Sequence, residues 1–352
     1  MVEDGALSLA DSAGRRDGAL ARAHPLTMFG LDALIAGAAR LRPARIAAGD
    51  ASTGVEIDHA ELDRRVAAFR ADLRGFDFQP GERILLFATP SSATLIALIG
   101  IISAGLEPVA APLGLSLGAL AAGARAVAAA AVVAPASVGG ESFEELVFGV
   151  ASQAPSVRLI GSLGPGTIDG AVDFGPRSRS ENDSPATTRA TPSKKVLIGA
   201  LDQYGAPQFY EQAGLISASL GLIAKAHVNG SAPLLSLVSP GSIGGLVAGP
   251  LASLLSGAPL HFLAPFDGAA FLSALDSIGP LRVVAPRAVM ADLDAAGLLT
   301  SGAVLACIAV QRAGVEEPAF EPSHPYSCPI VEVGADGAVR SAARGGSARS
   351  AY

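Results

Sequence analysis

Apolar residues recur at helical spacing early in the chain. One face of a predicted helix carries four of them, at steps of four, three and four: Leu62, Val66, Phe69 and Leu73. Asp58 and Glu61 form a capping-box pattern at the start of this segment, and Gly75 suits its end. The pattern predicts an amphipathic helix between Asp58 and Gly75. A helical pattern also extends from Leu26 to Leu41.

Apolar runs of strand length then alternate with helices. Pro80-Gly81 turns the chain into the apolar run 83–88, and Thr89-Pro90 has the N-cap and first-turn signature of a helix that ends near Gly105. The alternation continues to about Ile160. Strands that are apolar on both faces and separated by helices are typical of a parallel sheet covered on both sides. We therefore expect this half of the chain to be α/β.

A polar segment, 175–195, interrupts the pattern and has no large apolar residue to anchor it. After it the pattern predicts strands at 195–199, 234–239, 259–264, 281–285 and 303–310, and helices at 212–226, 244–256, 268–277 and 286–296. The order weakens from Arg312, with a hairpin expected around Ala335-Asp336-Gly337. The second half is therefore also predicted to be α/β.

These patterns divide the chain into five segments. They are a flexible tail (1–25), a first α/β subdomain (26–174), a flexible linker or loop (175–195), a second α/β subdomain (196–311) and an irregular C-terminal extension (312–352). No internal repeat of fixed period is found.

Composition excludes several classes of protein. With 352 residues, half of them hydrophobic, the chain can bury a large core, so disorder is not expected. A net charge of -7 without a basic patch argues against nucleic-acid binding. The uncharged run 229–266 is long enough for a membrane-spanning helix, but it is divided by prolines at 233, 240, 250 and 259. Buried strands and one internal helix account for it better.

Cysteine and histidine usage predicts neither a disulfide framework nor a metal site. The two cysteines are Cys307, an expected core thiol in an apolar strand, and Cys328, which is a candidate for exposure. The five histidines lack metal-ligand spacing. Because the sequence also shows no secretory signal pattern, we expect a reducing, cytoplasmic setting. Hydrolase-elbow and dinucleotide-binding motifs are likewise not found.

Three short motifs resemble those of a known superfamily. The segments are His59-Ala60-Glu61-Leu62, Pro80-Gly81-Glu82-Arg83-Ile84 and Ser103-Ala104-Gly105. They are similar to the Tyr-x-Glu-Leu, Pro-Gly-Asp-x-Val and Lys-Ala-Gly motifs of AMP-forming acyl-CoA synthetases and adenylation domains. The resemblance covers about residues 30–310, and Pro265-Phe266-Asp267 and Val284-Ala285-Pro286 look like strand ends of the same family. It implies two stacked, mostly parallel sheets with helices on both faces, as in the large N-terminal domain of adenylate-forming ligases.

The family's phosphate loop is altered here. That loop reads approximately Thr-Ser-Gly-Thr-Thr-Gly-x-Pro-Lys, because small residues let backbone N–H groups and hydroxyls surround ATP phosphates while the lysine neutralises their charge. Residues 196–210 occupy the corresponding place, and Gly205 and Pro207 match. Asp202 replaces the flexible first glycine and Gln208 replaces the lysine. The hydroxyl positions hold Ala200, Leu201, Gln203 and Tyr204.

Other family elements are also replaced. Ser239-Pro240-Gly241-Ser242 stands where the family has an aromatic or histidine-bearing segment, and no Tyr-Gly-x-Thr-Glu motif follows residue 310. The lysines of the chain are Lys194, Lys195 and Lys225. The resemblance therefore leads us to expect no catalytic residue, no metal, and no small C-terminal ligase domain with its catalytic lysine.

A ligand pocket can still be considered on this scaffold. Its candidate residues are the aromatic group Tyr204, Phe209 and Tyr210 together with Ser239 and Gly241. A simply packed loop is the alternative interpretation. The pair Lys194-Lys195 could reach a phosphate at the same loop, or could be a solvated pair at the end of the linker.

Three functional hypotheses follow. The first is a degenerate relative of acyl-CoA synthetases that lacks ATP-dependent ligase activity, uses no cofactor and acts as a ligand-binding or partner-regulating protein. The second is an atypical acyl-adenylate or acyl-CoA ligase that uses ATP and Mg²⁺ and is completed by a separate subunit. The third is a carrier or sensor of an acyl or aryl ligand. None of them requires nucleic acid or a membrane span.

Overall fold

The computed structural model describes residues 25–175, 195–315, 320 and 328–341. Almost all of the predicted tail (1–25) and of the predicted linker (175–195) lies outside these residues, as does more than half of the predicted extension (312–352). Everything below refers to the described part of the chain.

Strands form along most of the chain. In chain order they are β1 (Ile46–Asp50), β2 (Val55–Asp58), β3 (Arg83–Phe87), β4 (Glu107–Ala111), β5 (Ala131–Pro135), β6 (Ser137–Val138), β7 (Glu141–Ser142), β8 (Leu159–Leu163), β9 (Val172–Asp173), β10 (Leu197–Leu201), β11 (Pro207–Glu211), β12 (Leu234–Ser236), β13 (Leu260–Phe262), β14 (Leu281–Pro286), β15 (Val304–Val310), β16 (Ile330–Val333) and β17 (Val339–Ser341).

Helices separate most of these strands. They are α1 (Leu31–Leu41), α2 (His59–Arg74), α3 (Ser92–Ser103), α4 (Leu117–Ala126), α5 (Glu144–Gln153), α6 (Gln212–Lys225), α7 (Ile243–Leu246), α8 (Ala252–Ser256), α9 (Gly268–Ile278) and α10 (Met290–Ala295). Short 3-10 turns cover Pro25–Met28 and Arg287–Val289. A π-helical turn, Val247–Leu251, joins α7 to α8 and contains Pro250, whose missing N–H removes one regular helical hydrogen bond.

Two large sheets form the framework. The first has the order β11-β10-β4-β3-β5-β8-β9, and the second has the order β17-β16-β15-β14-β12-β13-β1-β2. Neighbouring strands are parallel except for the pairs β10–β11, β1–β2 and β16–β17. The predicted fold of two mostly parallel sheets with surrounding helices is therefore confirmed.

Among the described residues the core consists of three apolar clusters. The largest contains α1, α2, α3, α6 and the α7–α8 helix, buried between the two sheets. A second cluster packs α9 and α10 on the outer face of the second sheet. A third packs α4 and α5 on the outer face of the first. The molecule thus has five alternating layers, and the apolar runs in the sequence are the strands buried on both faces.

Several local expectations are confirmed. Asp58 begins α2 by accepting a hydrogen bond from Glu61 N at 2.7 Å, and the helix ends at Arg74, just before Gly75. The reciprocal half of the capping box does not form, because the Glu61 carboxylate pairs with Arg64 and Arg65 instead. The hairpin around Asp336 is present as β16 and β17.

Other expectations need correction. The helix predicted to begin at Thr89-Pro90 begins at Ser92, because Ser91 supplies the side-chain cap to Thr94 N. Strands β1 and β2 precede α2, and β11 follows the turn after β10; the sequence pattern predicted none of the three. Membership of the sheets also departs from the predicted subdomains, since β10 and β11 join the first sheet while β1 and β2 join the second.

His59 opens α2 in an environment that disfavours its charge. Its side chain is 3% exposed, and no described residue hydrogen-bonds to its Nδ1. Burial, reinforced by the nearby positive charges of Arg42 and Arg45, lowers its pKa to about 4. The folded protein therefore holds this imidazole neutral, whereas the unfolded chain protonates it near pH 6.5.

This difference predicts a loss of stability in mild acid. Because the unfolded chain binds the extra proton, the stabilisation is complete above about pH 6.5 and is lost as the pH falls towards 4. Between pH 7 and 4.5 we expect the free energy of unfolding of the wild type to fall by about 2 kcal/mol more than that of His59→Gln. Urea unfolding of both proteins at the two pH values measures this difference, and parallel pH dependences would contradict it.

Candidate functional site

The predicted phosphate loop is the turn of a β-hairpin. Strands β10 and β11 are antiparallel, with Leu201 opposite Pro207 and Leu197 opposite Glu211. Residues 202–206 therefore form the turn, at the carboxyl end of β10 and beside β4, with which β10 runs parallel. Ligands of α/β proteins commonly bind at such carboxyl ends. The turn therefore lies where a ligand-binding loop is expected, but its residues differ from those of the family's phosphate loop.

Asp202 caps this turn from within. Its Oδ1 accepts hydrogen bonds from Tyr204 N and Ala206 N, both at 2.8 Å. The backbone adds bonds from Gly205 N to Asp202 O at 3.0 Å and from Asp202 N to Ala206 O at 2.9 Å. Three successive turn amides, at residues 204 to 206, thus already have acceptors. A carboxylate of the chain occupies the place that an anion would take in a loop of this kind.

The turn is also packed firmly onto α4. Gly205 has a φ of +84°, and a Cβ at this position would lie 2.3 Å from Ala119 O. A Cβ at Gly123 would in turn lie 2.9 Å from Gly205 O and 2.6 Å from a Leu201 methyl group. Glycine is needed at 205 both for its backbone conformation and for this close approach. The turn therefore has little freedom to refold around a ligand.

Gln203 bridges the two sheets. Its Nε2 donates a hydrogen bond to Gly314 O, in the segment that follows β15. A Cβ at Gly314 would meet the Gln203 side chain at 2.8 Å, so the approach is close. The Gln203 side chain thereby fills the space between the hairpin turn and the end of β15.

Gln208 stands at the position of the family lysine and is itself engaged. Its Oε1 accepts a hydrogen bond from the Tyr210 hydroxyl at 2.7 Å. Burial, with a smaller effect of Asp336, raises the pKa of Tyr210. This phenol is therefore a neutral donor, and it does not supply the positive charge that a triphosphate requires.

The three aromatic residues do not form one pocket wall. Phe209 packs towards the outer cluster of the first sheet, with the Arg83 guanidinium carbon 4.6 Å from its ring centroid. Tyr210, the next residue, packs towards the central cluster on the opposite face. Tyr204 lies on the turn and is 76% exposed. Adjacent residues of a strand point to opposite faces, and this alternation separates the predicted group.

The segment after β12 fills the junction between the sheets. Ser239 Oγ accepts from Gly241 N at 3.0 Å, and Ser242 Oγ caps α7 by accepting from Gly245 N at 3.0 Å. A Cβ at Gly241 would lie 2.1 Å from the Ala88 Cβ and 3.0 Å from the Ala110 Cβ. Ser239 and Gly241 are thus next to the carboxyl ends of β3 and β4, where they pack against small side chains.

The lysines lie elsewhere. Lys195 precedes β10 and so stands at the opposite end of the strand from the turn, about 20 Å away at the usual rise per residue. Lys225 ends α6, and its Nζ donates to Val339 O at 3.0 Å. Lys194 lies outside the described residues. The prediction that Lys195 could reach a phosphate at the turn is therefore wrong, because an extended strand separates the two.

The sequence pattern also missed a carboxylate at the same edge. Asp50, at the end of β1, accepts from Ser92 N at 2.9 Å and from Ser92 Oγ at 2.5 Å, so it caps the amino end of α3. The hydroxyls of Thr89 and Thr94 hydrogen-bond to each other at 3.0 Å at the same end of α3. The sequence signal that could have identified Asp50 is its place directly after a short apolar run. It was missed because β1 itself was not predicted. Here too a carboxylate of the chain occupies a helix amide that could otherwise bind an anion.

The described residues offer neither a metal-binding cluster nor a membrane-spanning helix. No group of three or more His, Cys, Asp or Glu side chains there is arranged to hold a metal ion. None of the described helices combines the length and apolar character needed to cross a bilayer.

Comparison with known proteins places this geometry in a family context. A family model described as AMP-binding enzyme matches residues 35–194. None of the curated proteins matches the sequence. The matched residues include strands β1 to β9, helices α2 to α5 and most of α1.

Solved structures extend the similarity to most of the chain. Apo MbtA from Mycobacterium smegmatis has a TM-score of 0.66 and 18% identity, over 81% of this chain and 52% of MbtA. The luciferase-like enzyme of the nonluminescent mealworm Zophobas morio has a TM-score of 0.69 and 12% identity, over 88% and 73%. The anthranilate CoA ligase AuaEII, solved with anthranoyl-AMP, has a TM-score of 0.67 and 15% identity, over 86% and 58%.

These similarities agree with the motifs in the sequence. The chain spans between about half and three quarters of the length of the three proteins. At these identities the structures show the fold alone, while the family model matches residues 35–194. Residues 35–194 thus match the AMP-binding enzyme family model, and the chain has the α/β fold of the N-terminal portion of adenylate-forming ligases.

Proposed function

We propose that this chain is a degenerate AMP-binding-family protein that does not carry out ATP-dependent ligation and instead acts as a ligand-binding or partner-regulating protein in the cytoplasm. The observation that carries the proposal is the Asp202 carboxylate, which accepts hydrogen bonds from two amides of the turn. In this family those amides would be expected to face nucleotide phosphates.

Electrostatics supports the same conclusion. A carboxylate inside the turn repels a triphosphate, and Gln208 supplies no compensating charge. Each charge-assisted contact to a phosphate contributes about 1.5–3 kcal/mol, so the loss of a lysine and of two amide donors costs several such contacts. Magnesium-ATP therefore does not fit the residues present at this turn.

Packing supports it as well. Gln203 reaches across to Gly314, and Gly205 lies against α4. A nucleotide would have to break these contacts before it could enter, and breaking them opposes binding. These contacts are typical of a packed hairpin turn and leave no open loop for phosphates.

The scaffold can survive the loss of this chemistry because core packing and site chemistry use different residues. The carboxyl ends of both sheets still meet, and this edge is where an acyl or aryl ligand would be sought. AuaEII, with the same fold, was solved with anthranoyl-AMP. Exposed Tyr204 provides an aromatic contact for a ligand or a protein partner.

The alternative is an atypical ligase that activates a carboxylic acid with ATP and is completed by a separate subunit. The family match favours this alternative. With Lys195 at the far end of β10, a phosphate contact from that residue would require the strand to move. The two hypotheses therefore differ in whether ATP binds at the turn.

The first prediction of this proposal concerns nucleotide binding. We expect magnesium-ATP to shift the midpoint of thermal unfolding by less than about 1 °C, since a ligand that does not bind adds no stability. Acid-dependent exchange between ATP and pyrophosphate is expected to be undetectable with fatty and aromatic acids. Stabilisation by acids or acyl-CoA alone would identify a carrier. Clear acid-dependent exchange would overturn the proposal.

The second prediction concerns the role of Asp202 in folding. Asp202→Ala removes the acceptor for two turn amides and should lower the free energy of unfolding by about 1–3 kcal/mol. Asp202→Asn keeps a side-chain oxygen at the same place and should lose less than half as much. Urea unfolding of both variants measures these losses. If Asp202→Ala leaves the free energy of unfolding unchanged, the carboxylate does not stabilise the turn.

The third prediction tests whether the turn chemistry excludes phosphate. Asp202→Gly combined with Gln208→Lys frees two amides and adds a positive charge, so its affinity for tripolyphosphate should exceed that of the wild type by about tenfold or more. Asp202→Asn is the matched control, because it removes the charge but still caps the amides. Titration calorimetry compares the three proteins. Equal affinity for wild type and double variant would contradict the argument from turn chemistry.

A further inference from the structure

Both cysteines of the chain lie in the same apolar cluster, on the outer face of the second sheet. Cys307 and Cys328 are the two cysteines of the sequence. Both are free thiols and both are buried, with exposures of 0% and 5%. The sequence made Cys328 a candidate for exposure, but the residue is buried. It belongs to the same apolar cluster as Cys307.

Strand pairing brings the two residues together. Cys307 in β15 is opposite Ile330 in β16, and its N–H donates to Pro329 O at 2.9 Å. Cys328 is two residues before Ile330, so its side chain lies on the same face of the sheet as that of Cys307. The two side chains therefore lie together in one apolar cluster, where the Cys328 thiol donates a hydrogen bond to Leu299 O at 3.6 Å.

The two thiols differ in acidity. The neighbouring Cys328 thiol, together with burial, raises the pKa of Cys307 well above its ordinary value. The neighbouring Cys307 thiol lowers the pKa of Cys328. Cys328 therefore forms a thiolate more readily than Cys307, which keeps its proton.

We propose that Cys307 and Cys328 are an oxidisable thiol pair that a peroxide converts into an intramolecular disulfide. The Cys328 thiolate attacks one peroxide oxygen, the O–O bond breaks, and hydroxide leaves to become water. Cys328 is then a sulfenic acid. The Cys307 sulfur attacks the Cys328 sulfur and loses its proton, the S–O bond breaks, and a second water leaves. Two thiols are oxidised and one hydrogen peroxide is reduced to two waters.

The bridge would join β15 covalently to the residue that precedes β16. Strand β15 continues directly into residues 311–315, whose Gly314 O accepts the hydrogen bond from Gln203. Oxidation would therefore constrain the strand that carries the contact with the hairpin turn. This inference rests on the thiol pair alone and does not depend on the proposed function.

Intact-mass analysis tests the pair. The purified chain is reduced, treated with hydrogen peroxide, quenched, unfolded and alkylated with iodoacetamide. We expect two alkyl groups before oxidation and none afterwards, a mass lower by two hydrogen atoms, migration as a monomer on a non-reducing gel, and full return of both groups after reduction with dithiothreitol. Two persisting thiols, oxygen adducts that dithiothreitol does not reverse, or linked dimers would overturn the proposal.

Two variants test the order of reaction. In Cys307→Ala the sulfenic acid on Cys328 has no partner thiol and should be trapped by dimedone. In Cys328→Ala the remaining Cys307 should stay alkylatable after the same treatment. The wild-type mass measurement remains decisive even if a variant does not fold. Dimedone labelling of Cys307 in preference to Cys328 would contradict the assigned roles.

Discussion

The structure depends on one layer of helices that both sheets share. Helices α1, α2, α3, α6 and the α7–α8 segment are buried between the sheets and supply nearly half of the buried residues of the largest apolar cluster. Because this layer packs against both sheets, their carboxyl ends meet at one edge. Asp50 contacts Ser92 there, Gly241 lies against Ala88, and Gln203 reaches the end of β15. This edge is the place where α/β proteins usually bind ligands.

At this edge the chain satisfies its own anion-binding groups. The Asp202 carboxylate caps the hairpin turn by accepting from two backbone amides, and the Asp50 carboxylate caps the start of α3 by accepting from the amide and the hydroxyl of Ser92. Such internal caps stabilise the local fold, and they also remove the donors that a phosphate would need. The proposed loss of ATP chemistry therefore follows from the folded arrangement as well as from a missing lysine.

Much of the scaffold could be predicted from the sequence. The apolar runs that became β3, β14 and β15 are buried on both faces, so their pattern is strong. Short strands such as β2 and β11 carry weak patterns, and pairing with a neighbour decides whether they form. At the site, the substitutions Asp202 and Gln208 were visible, but their hydrogen-bond partners were not.

The sequence by itself determined the α/β class, the resemblance to adenylate-forming ligases and the altered residues of the phosphate loop, because periodicity and residue type are local properties. Only the tertiary structure decided that Phe209 and Tyr210 face opposite sides of a sheet, that Lys195 lies far from the turn, and that Cys307 meets Cys328. Each of these depends on strand direction and pairing between distant segments. Hydrophobic patterning does not specify such long-range register.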